Sequence, residues 1–328
     1  MKNKYIINWE LSLICNLDCY FCSQKNRRKE QKQQLSFNEV KNIINNLPKE
    51  VHISFLWWET LLFPNIIDIF YLLEIQWITY EITTNWILLE EHYNSIISLR
   101  NLTQINISLD WFDEYHDLSR WKIGIFSKIS SVLPKLVPYK KISISTVITN
   151  ISYENLAKLS VFLERLWVTE HKLIYLMNFS EQDIQDSKKA IRTIKISSPW
   201  STKINKNYKN EFLKKYIFLK KIQKKMSVTF EPETILKKWD IWCKQLDKQY
   251  RINENWNLSI CEFIDNEFGS LIHNKFEDII HDKCYKIFTE EILSKYPLEI
   301  CKTCCKQYNV QKYARLPPRH NDWSDKWM

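Results

Sequence analysis

The sequence predicts an α/β protein, a partial (β/α)6 TIM-like barrel followed by a small cysteine-rich domain. Strand-like segments alternate with helical segments through residues 1–182, and this alternation favours parallel strands joined by right-handed crossovers. A chain of 328 residues is long enough for one large domain and a smaller one. The nine cysteines fall into two groups, one before residue 23 and the other after residue 242.

Periodicity and β-branched composition locate the individual elements. We predict strands at residues 4–9, 51–55, 79–83, 104–109, 141–148 and 172–177. Helices are expected between them, at residues 37–47, 65–75, 89–98, 122–134 and 153–166. The barrel is then residues 1–182, a Lys-rich helical linker follows at 183–232, and the C-terminal domain with its tail spans 233–328. In such barrels the chemistry lies at the carboxyl ends of the strands.

Composition restricts the classes of function. The formal net charge of +9 comes mostly from lysine, and the dense basic stretch at 188–225 is better explained as a solvated helix face than as a nucleic-acid site. The longest apolar runs, such as 66–73 with its Asp68, are too short to cross a bilayer. Nine cysteines without a signal-peptide pattern indicate thiols in a reducing compartment. We therefore expect a cytoplasmic protein that binds neither membrane nor nucleic acid.

Cys15, Cys19 and Cys22 are the strongest chemical signal. They are spaced C-x3-C-x2-C directly after an apolar, strand-like stretch at 5–14. Three thiolates can hold three irons of a [4Fe–4S] cluster and leave the fourth iron open to a ligand. A zinc site, or three unrelated buried thiols, remains the alternative at this point.

The chain has 2 glycines and 14 tryptophans, whereas a base rate of roughly 7% would give about 23 glycines. Tryptophan stands where turns are expected, in Trp57-Trp58-Glu59-Thr60, Thr84-Asn85-Trp86 and Ser108-Leu109-Asp110-Trp111. Our hypothesis is that many of these positions are UGA codons that the native organism reads as glycine. Trp77, Trp121, Trp167 and Trp256 fit the same hypothesis, whereas Trp9 suits its strand. If the tryptophans are real, two indoles crowd the expected ligand site.

The cysteine motif, together with GGET, TNG and SLDG when Trp is read as Gly, resembles the radical S-adenosylmethionine (SAM) superfamily. The resemblance implies an enzyme with a SAM-binding [4Fe–4S] cluster ligated by Cys15, Cys19 and Cys22. In that family one electron from the cluster cleaves SAM, and the 5′-deoxyadenosyl radical abstracts hydrogen from a substrate C–H bond. An electron donor such as flavodoxin or ferredoxin is also implied.

The resemblance also implies roles for individual residues around SAM. Phe21 matches the aromatic position near the adenine, Ser108 a ribose contact and Arg120 a partner of the SAM carboxylate. Positions matching the motif that contacts the SAM amino group are Trp57, Trp58 and Glu59. Simpler roles stay open: Glu59 as a helix cap, Arg120 as a surface ion pair and His116 as a loop residue.

The second cysteine group resembles the SPASM/Twitch extension that follows radical SAM barrels. Cys243, Cys261, Cys301 and Cys304 would ligate one auxiliary [4Fe–4S] cluster, with Cys305 able to replace Cys304. Cys284 is expected to be a buried thiol. A four-cysteine zinc site has overlapping spacing and remains the alternative.

The substrate is predicted only by analogy. The family relationship favours modification of a peptide or protein, with dehydrogenation of a small alcohol or sugar as the alternative. A zinc protein that binds RNA through its basic middle segment is the alternative from another class.

Overall fold

A computed structural model of the chain describes residues 5–22, 34–56, 58–175, 180–196, 215–216, 218–219, 221–223, 225–231, 249–296 and 298–303. Among the predicted site residues, Trp57, Cys243 and Cys304 lie outside these ranges, as does Cys305.

One nine-stranded sheet forms the centre of the molecule, in the order β7-β6-β5-β4-β3-β2-β1-β8-β9. All neighbouring strands are parallel except β8 and β9, which form an antiparallel hairpin. The strands are β1 (Tyr5–Trp9), β2 (Val51–Phe55), β3 (Thr79–Thr84), β4 (Leu102–Ser108), β5 (Ile142–Ile148), β6 (Glu170–Tyr175), β7 (Ser227–Glu231), β8 (Gln249–Ile252) and β9 (Leu258–Ser259). The six predicted strands are β1 to β6, and the parallel sheet, open within the described residues, confirms the partial barrel.

Ten α-helices connect and cover these strands in the described part of the chain. They are α1 (Phe37–Asn46), α2 (Ile66–Ile75), α3 (Tyr93–Ser98), α4 (Asp113–Arg120), α5 (Ile125–Leu136), α6 (Asn150–Arg165), α7 (Glu181–Ala190), α8 (Phe276–His281), α9 (Lys283–Ser294) and α10 (Glu299–Thr303). A short 3-10 helix spans Thr60–Leu62. None of these helices has the length and apolar character that a membrane crossing requires.

Local sequence explains where the elements begin and how they are buried. Ser36 and Glu39 form a reciprocal capping box that starts α1, which satisfies amide groups that the helix itself leaves open. Every residue of β5 is buried, as expected for a parallel strand covered on both faces. The alternating burial of β3 places Thr79, Glu81 and Thr83 on its less buried face.

The structure adds elements that periodicity did not predict. Residues 113–120 form α4, where the sequence suggested a loop around His116. Residues 227–231 form β7, so the end of the stretch expected as a helical linker belongs to the sheet, paired with β6. A four-residue strand, β8, aligns parallel to β1 and brings the C-terminal region beside the first strand.

Two apolar clusters hold the described residues together. The larger one lies on both sides of the sheet and includes Ile7, Phe55, Ile82 and Ile144. The smaller cluster joins the region after β6 to the C-terminal helices, and its members are Ile191, Ile194, Ile260, Phe263, Ile264, Tyr285, Phe288, Ile292, Leu298 and Ile300. A hydrogen bond of 3.0 Å from the Ile300 amide to Ser187 Oγ ties α10 to α7 in this cluster.

Candidate functional site

The candidate site lies where the first four strands end. The cysteine loop, residues 10–22, follows β1, and the turns after β2, β3 and β4 lie at the same edge because these strands are parallel and adjacent. A 3.2 Å hydrogen bond from the Glu59 amide to the Ile14 carbonyl joins the cysteine loop to the turn after β2. A 3.3 Å bond from the Tyr20 amide to the Ser119 carbonyl joins it to α4.

Cys15 faces the turn after β3. Its Sγ lies 3.8 Å from Nδ2 of Asn85, and the same Nδ2 donates to Oδ1 of Asn16 at 2.7 Å. An N–H group directed at a sulfur stabilises the thiolate more than the neutral thiol, because the thiolate carries the negative charge. Asn85 was not predicted as a site residue, although its position directly after a strand was a usable signal.

Cys19 is buried against a cation. Nη1 of Arg120 lies 3.9 Å from its Sγ, and the guanidinium carbon lies 5.5 Å from the centre of the Phe21 ring. Burial raises the pKa of the Cys19 thiol to about 11, although the positive charge of Arg120 opposes that rise. A thiol with such a pKa is protonated at neutral pH, so a metal must displace its proton.

Asp110 holds Arg120 in place. Its Oδ2 accepts from Arg120 Nε at 2.8 Å, and its Oδ1 accepts from the Val147 amide at 2.9 Å. Burial alone would lower the pKa of Arg120, but the negative charge of Asp110 reverses this and keeps it above its usual value. The simpler expectation of a surface ion pair for Arg120 is wrong, because both side chains are buried. Asp110 was not predicted as a site residue, although it lies in the SLDW run at the end of β4.

His116 supports the same arrangement from α4. It is fully buried, and its Nδ1 accepts from the Asp110 amide at 3.1 Å. Burial lowers its pKa to about 4, so the ring is neutral at physiological pH. Its Nε2 has no hydrogen-bond partner among the described residues. The expectation that His116 is a loop residue is wrong, because α4 begins at Asp113.

Glu59 joins two of the turns at the site. Its Oε1 accepts from Thr84 Oγ1 at 2.7 Å and from the Leu61 amide at 3.3 Å, and its Oε2 accepts from the Asn85 amide at 2.6 Å. Burial raises its pKa to about 7 despite these three donors. A carboxylate offers about four acceptor positions, so the bonds leave one on Oε2. The bond to Leu61 is the helix-cap role that the sequence left open.

The other predicted site residues that the structure describes lie in the cysteine loop or near the ends of strands. Phe21 is buried beside Arg120, and Trp58 is buried next to Glu59. Ser108 is half-buried at the end of β4, opposite Ser145 of β5. Trp57 lies outside the described residues.

The donor set of the cysteine loop suits an iron–sulfur cluster. Cys15, Cys19 and Cys22 are thiols rather than disulfides, and all three lie in the loop that follows β1. Soft thiolates with N–H donors around them are typical ligands of Fe–S clusters. In the described ranges no three His, Cys, Asp or Glu side chains are grouped closely enough to hold a single metal ion.

The C-terminal cysteines are only partly described. Cys261 and Cys301 are half-buried and both pack against the smaller apolar cluster. The Phe263 amide lies 3.4 Å from Cys261 Sγ. Cys243 and Cys304 lie outside the described residues, so the four-cysteine set stays a prediction. The expectation that Cys284 is buried is wrong, because it is exposed in the first turn of α9.

Comparison with known proteins identifies the family. Residues 9–166 match the profile of the Radical SAM superfamily. No curated protein sequence matches the chain significantly.

Solved structures match almost the whole chain. Streptococcus suis SuiB bound to S-adenosylmethionine shares 15% identity over 97% of this chain and 76% of SuiB, with a TM-score of 0.67. SuiB bound to precursor peptide SuiA shares 15% identity over 98% of this chain and 75% of SuiB, with a TM-score of 0.65. Native anSMEcpe with bound AdoMet and Cp18Cys peptide shares 17% identity over 92% of this chain and 87% of anSMEcpe, with a TM-score of 0.61. At these identities the similarity establishes a shared fold.

Proposed function

Because residues 9–166 place the chain in the radical SAM superfamily, we propose that it cleaves SAM at a [4Fe–4S] cluster held by Cys15, Cys19 and Cys22 and modifies a peptide. As a radical SAM enzyme it uses SAM and a [4Fe–4S] cluster. The observation that supports the residue assignment is the loop after β1, in which Cys15 lies against Asn85 and Cys19 against Arg120.

The residues around the cysteines keep the loop in place and favour its charged form. When bound, the cluster supplies the electron that cleaves SAM. Arg120 and the Asn85 amide direct positive charge and N–H groups at Cys19 and Cys15. Both interactions favour thiolate over thiol, and the charge of Arg120 opposes part of the rise that burial causes in the pKa of Cys19.

The polar groups at the strand ends are suited to the amino-acid part of SAM. The guanidinium of Arg120 uses Nε for Asp110 and directs Nη1 toward Cys19. A guanidinium carries five N–H donors, so donors remain for the SAM carboxylate. The unused acceptor position on Glu59 Oε2 suits the SAM amino group. Phe21 and Ser108 are proposed for the adenine and the ribose.

A peptide substrate is favoured by two solved structures of the same fold. SuiB has been solved with its bound precursor peptide SuiA, and anSMEcpe with a bound Cp18Cys peptide. We extend this substrate class to the present chain as part of the proposal. Dehydrogenation of a small alcohol or sugar is the alternative reaction on the same site.

We further propose that Cys243, Cys261, Cys301 and Cys304 hold an auxiliary [4Fe–4S] cluster. The supporting observation is that Cys261 and Cys301, which are 40 residues apart, pack against one apolar cluster. A fully protein-ligated cluster has no open iron for SAM, and its chemistry is electron transfer.

The test is anaerobic reconstitution followed by assays of iron and of 5′-deoxyadenosine. Two clusters give about eight irons per chain, and reduction with SAM yields 5′-deoxyadenosine. The Cys15→Ala variant is expected to lose SAM cleavage, whereas Cys284→Ala, which alters an exposed thiol, retains it. A colourless protein that binds zinc and RNA would contradict the proposal.

The reaction class is tested by adding candidate substrates to the same assay. A peptide that shows a mass change coupled to 5′-deoxyadenosine formation supports peptide modification. Turnover with a small alcohol or sugar, and none with peptides encoded beside the gene, would contradict it.

A further inference from the structure

Five tryptophans adopt a backbone conformation that suits glycine. Trp77, Trp86, Trp121, Trp167 and Trp256 have φ between 57° and 79°. In this left-handed region the β-carbon of an L-residue approaches the following carbonyl oxygen too closely, and a bulky residue there is an outlier. The described ranges contain eight tryptophans, so more than half of them are outliers.

The other residue types show that aromatic bulk is not the cause. Phenylalanine and tyrosine each occur 16 times in the chain, yet no Phe or Tyr among the described residues has a positive φ. The remaining residues with positive φ are Gly124, Gly269, Asn65 and Asp113, which are the types that tolerate this conformation. Among the aromatic residues that the structure describes, positive φ therefore occurs at tryptophan and not at phenylalanine or tyrosine.

Three of the five tryptophans end helices in the same way. At the end of α2 the Trp77 amide donates to Glu74 and the Ile78 amide donates to Leu73, at 3.2 and 3.0 Å. This pair of bonds is the Schellman motif, whose left-handed position is usually glycine.

The ends of α4 and α6 repeat this geometry. Trp121 and Lys122 donate to the carbonyls of Leu118 and Asp117, at 3.2 and 3.0 Å. Trp167 and Val168 donate to the carbonyls of Glu164 and Leu163, at 3.0 and 3.2 Å. Three unrelated helices thus place Trp at the one position where the motif favours Gly.

The indoles at these helix ends project into solvent. Trp77, Trp121 and Trp167 are 78%, 73% and 68% exposed, although tryptophan is on average a highly buried residue. Trp167 makes a cation–π contact with Lys225 at 4.9 Å, which is worth little at an exposed site. Packing therefore does not repay the backbone strain at these positions.

Trp86 and Trp256 occupy turns. Trp86 follows β3 and is buried, and its indole nitrogen has no hydrogen-bond partner within the described residues. Trp256 lies in the turn between β8 and β9, where its amide donates to the Asn253 carbonyl at 2.9 Å. Turns of this kind use glycine because it has no β-carbon.

We infer that positions 77, 86, 121, 167 and 256 are encoded by UGA and carry glycine in the native protein. One reassigned codon would account for the excess of Trp, the lack of Gly and the left-handed backbone at these positions. A codon has one meaning throughout a gene, so any UGA at positions 57, 58 or 111 also gives glycine and removes an indole from the candidate site. The inference does not depend on the proposed reaction.

Trp9 provides the internal control. It lies in β1 with ordinary strand geometry, is fully buried and stacks on Phe55 with ring centres 5.6 Å apart. Position 9 is therefore expected to be a UGG codon and a true tryptophan.

The first experiment reads the codons and the mass of the native protein. We expect UGA at the five positions, and tryptic peptides of the protein from its source organism with glycine masses there. UGG codons at these positions, or UGA codons whose peptides carry tryptophan, would overturn the inference.

The second experiment measures stability in full-length protein made from a recoded gene. Replacing all five tryptophans by glycine is expected to raise Tm by about 5–10 °C, since each change removes left-handed strain. Trp9→Gly in the same background is expected to lower Tm instead. A fivefold variant no more stable than the all-tryptophan chain would overturn the inference, and neither result requires enzymatic activity.

Discussion

Two buried arginines, one in each cysteine region, organise this molecule in different ways. Arg120 pairs with Asp110 at 2.8 Å and also approaches the Cys19 sulfur. Arg251 of β8 pairs with Glu10 at 2.7 Å and with Asp265 at 2.8 Å, and its Nη1 donates to the Glu262 carbonyl at 3.4 Å. Both side chains are almost fully buried.

The difference lies in what each guanidinium faces. Arg251 is paired with the carboxylates of Glu10 and Asp265 and with a backbone carbonyl. These partners connect β8 to the residue after β1 and to residues 262–265, which is the arrangement of a structural ion pair. Among the described residues, Asp110 is the one carboxylate that pairs with Arg120, and Nη1 of Arg120 faces the Cys19 sulfur. A buried cation with one carboxylate and one thiol beside it suits the anionic ligand proposed for Arg120, whereas the partners of Arg251 suit a structural role.

Replacing one cysteine in each region should produce the largest difference. Cys19→Ala is expected to abolish SAM cleavage and to remove about four irons, because the first cluster loses a ligand. Cys261→Ala is expected to remove a similar number of irons while SAM cleavage without substrate persists. Iron content and 5′-deoxyadenosine yield of reconstituted proteins measure both effects. Loss of SAM cleavage in both variants would remove the functional distinction between the regions.

Replacing each of the two arginines separates effects on SAM binding from effects on the stability of the fold. Arg120→Gln and Arg251→Gln should each destabilise the protein by about 3–5 kcal/mol, because each leaves a buried carboxylate without its cation. Only Arg120→Gln is expected to weaken SAM binding further, by about 10–100-fold, through the loss of a charged hydrogen bond. Urea unfolding and equilibrium SAM binding separate the two effects. Equal SAM affinity in the two variants would contradict the role proposed for Arg120.

Glu59→Gln tests the anchor on the other side of the cysteine loop. The amide group of Gln cannot accept at both of its ends, so one of the three donors, the Thr84 hydroxyl or the Asn85 or Leu61 amide, loses its partner, at a cost of about 1–3 kcal/mol. Glu91→Gln, at an exposed position, is the matched control and should be neutral. The free energy of unfolding at pH 7 measures both. A neutral Glu59→Gln would show that the carboxylate does not hold these turns together.

Acid should affect the Arg120 region through the buried ring of His116. The pKa of His116 is lowered from 6.5 to about 4 by burial, so the unfolded chain binds more protons than the folded one between these values. Stability is therefore complete above pH 6.5 and falls as pH drops toward 4, by up to about 1.4 kcal/mol per pH unit from this group. His116→Gln should flatten that slope, whereas the exposed His281→Gln should not. Unfolding curves between pH 4 and 7 provide the measurement.

The sequence predicted the central fold well because parallel strands buried on both faces leave a clear pattern. β1 to β6 and the cysteine loop were found from apolar segments and spacing alone. Short elements were not: β8 has four residues and pairs with a strand more than 240 positions away in sequence, and no local pattern encodes such a partner. α4 was missed because its residues are mostly polar, and its buried side chains are His116, Asp117, Ser119 and Arg120.

The sequence predicted the cysteine ligands of the site but not the residues that hold them and Arg120 in place. Cys15, Cys19 and Cys22 follow from their spacing, whereas Asp110 and Asn85 act through contacts that only the folded chain creates. Asn85 reaches Cys15 across 70 positions and Arg120 reaches Cys19 across 101. A rule that inspects every polar residue at the carboxyl end of a parallel strand would have found both supports.

The position of β1 between β2 and β8 has a consequence for biosynthesis. The ribosome completes the cysteine loop early, but one edge of β1 stays unpaired until residues 249–252 have been made. With Glu10 bonded to Arg251 across 241 positions, the loop is anchored on that side only after residue 251 has been made. A nascent chain stalled before β8 exposes an apolar strand edge that other chains can pair with.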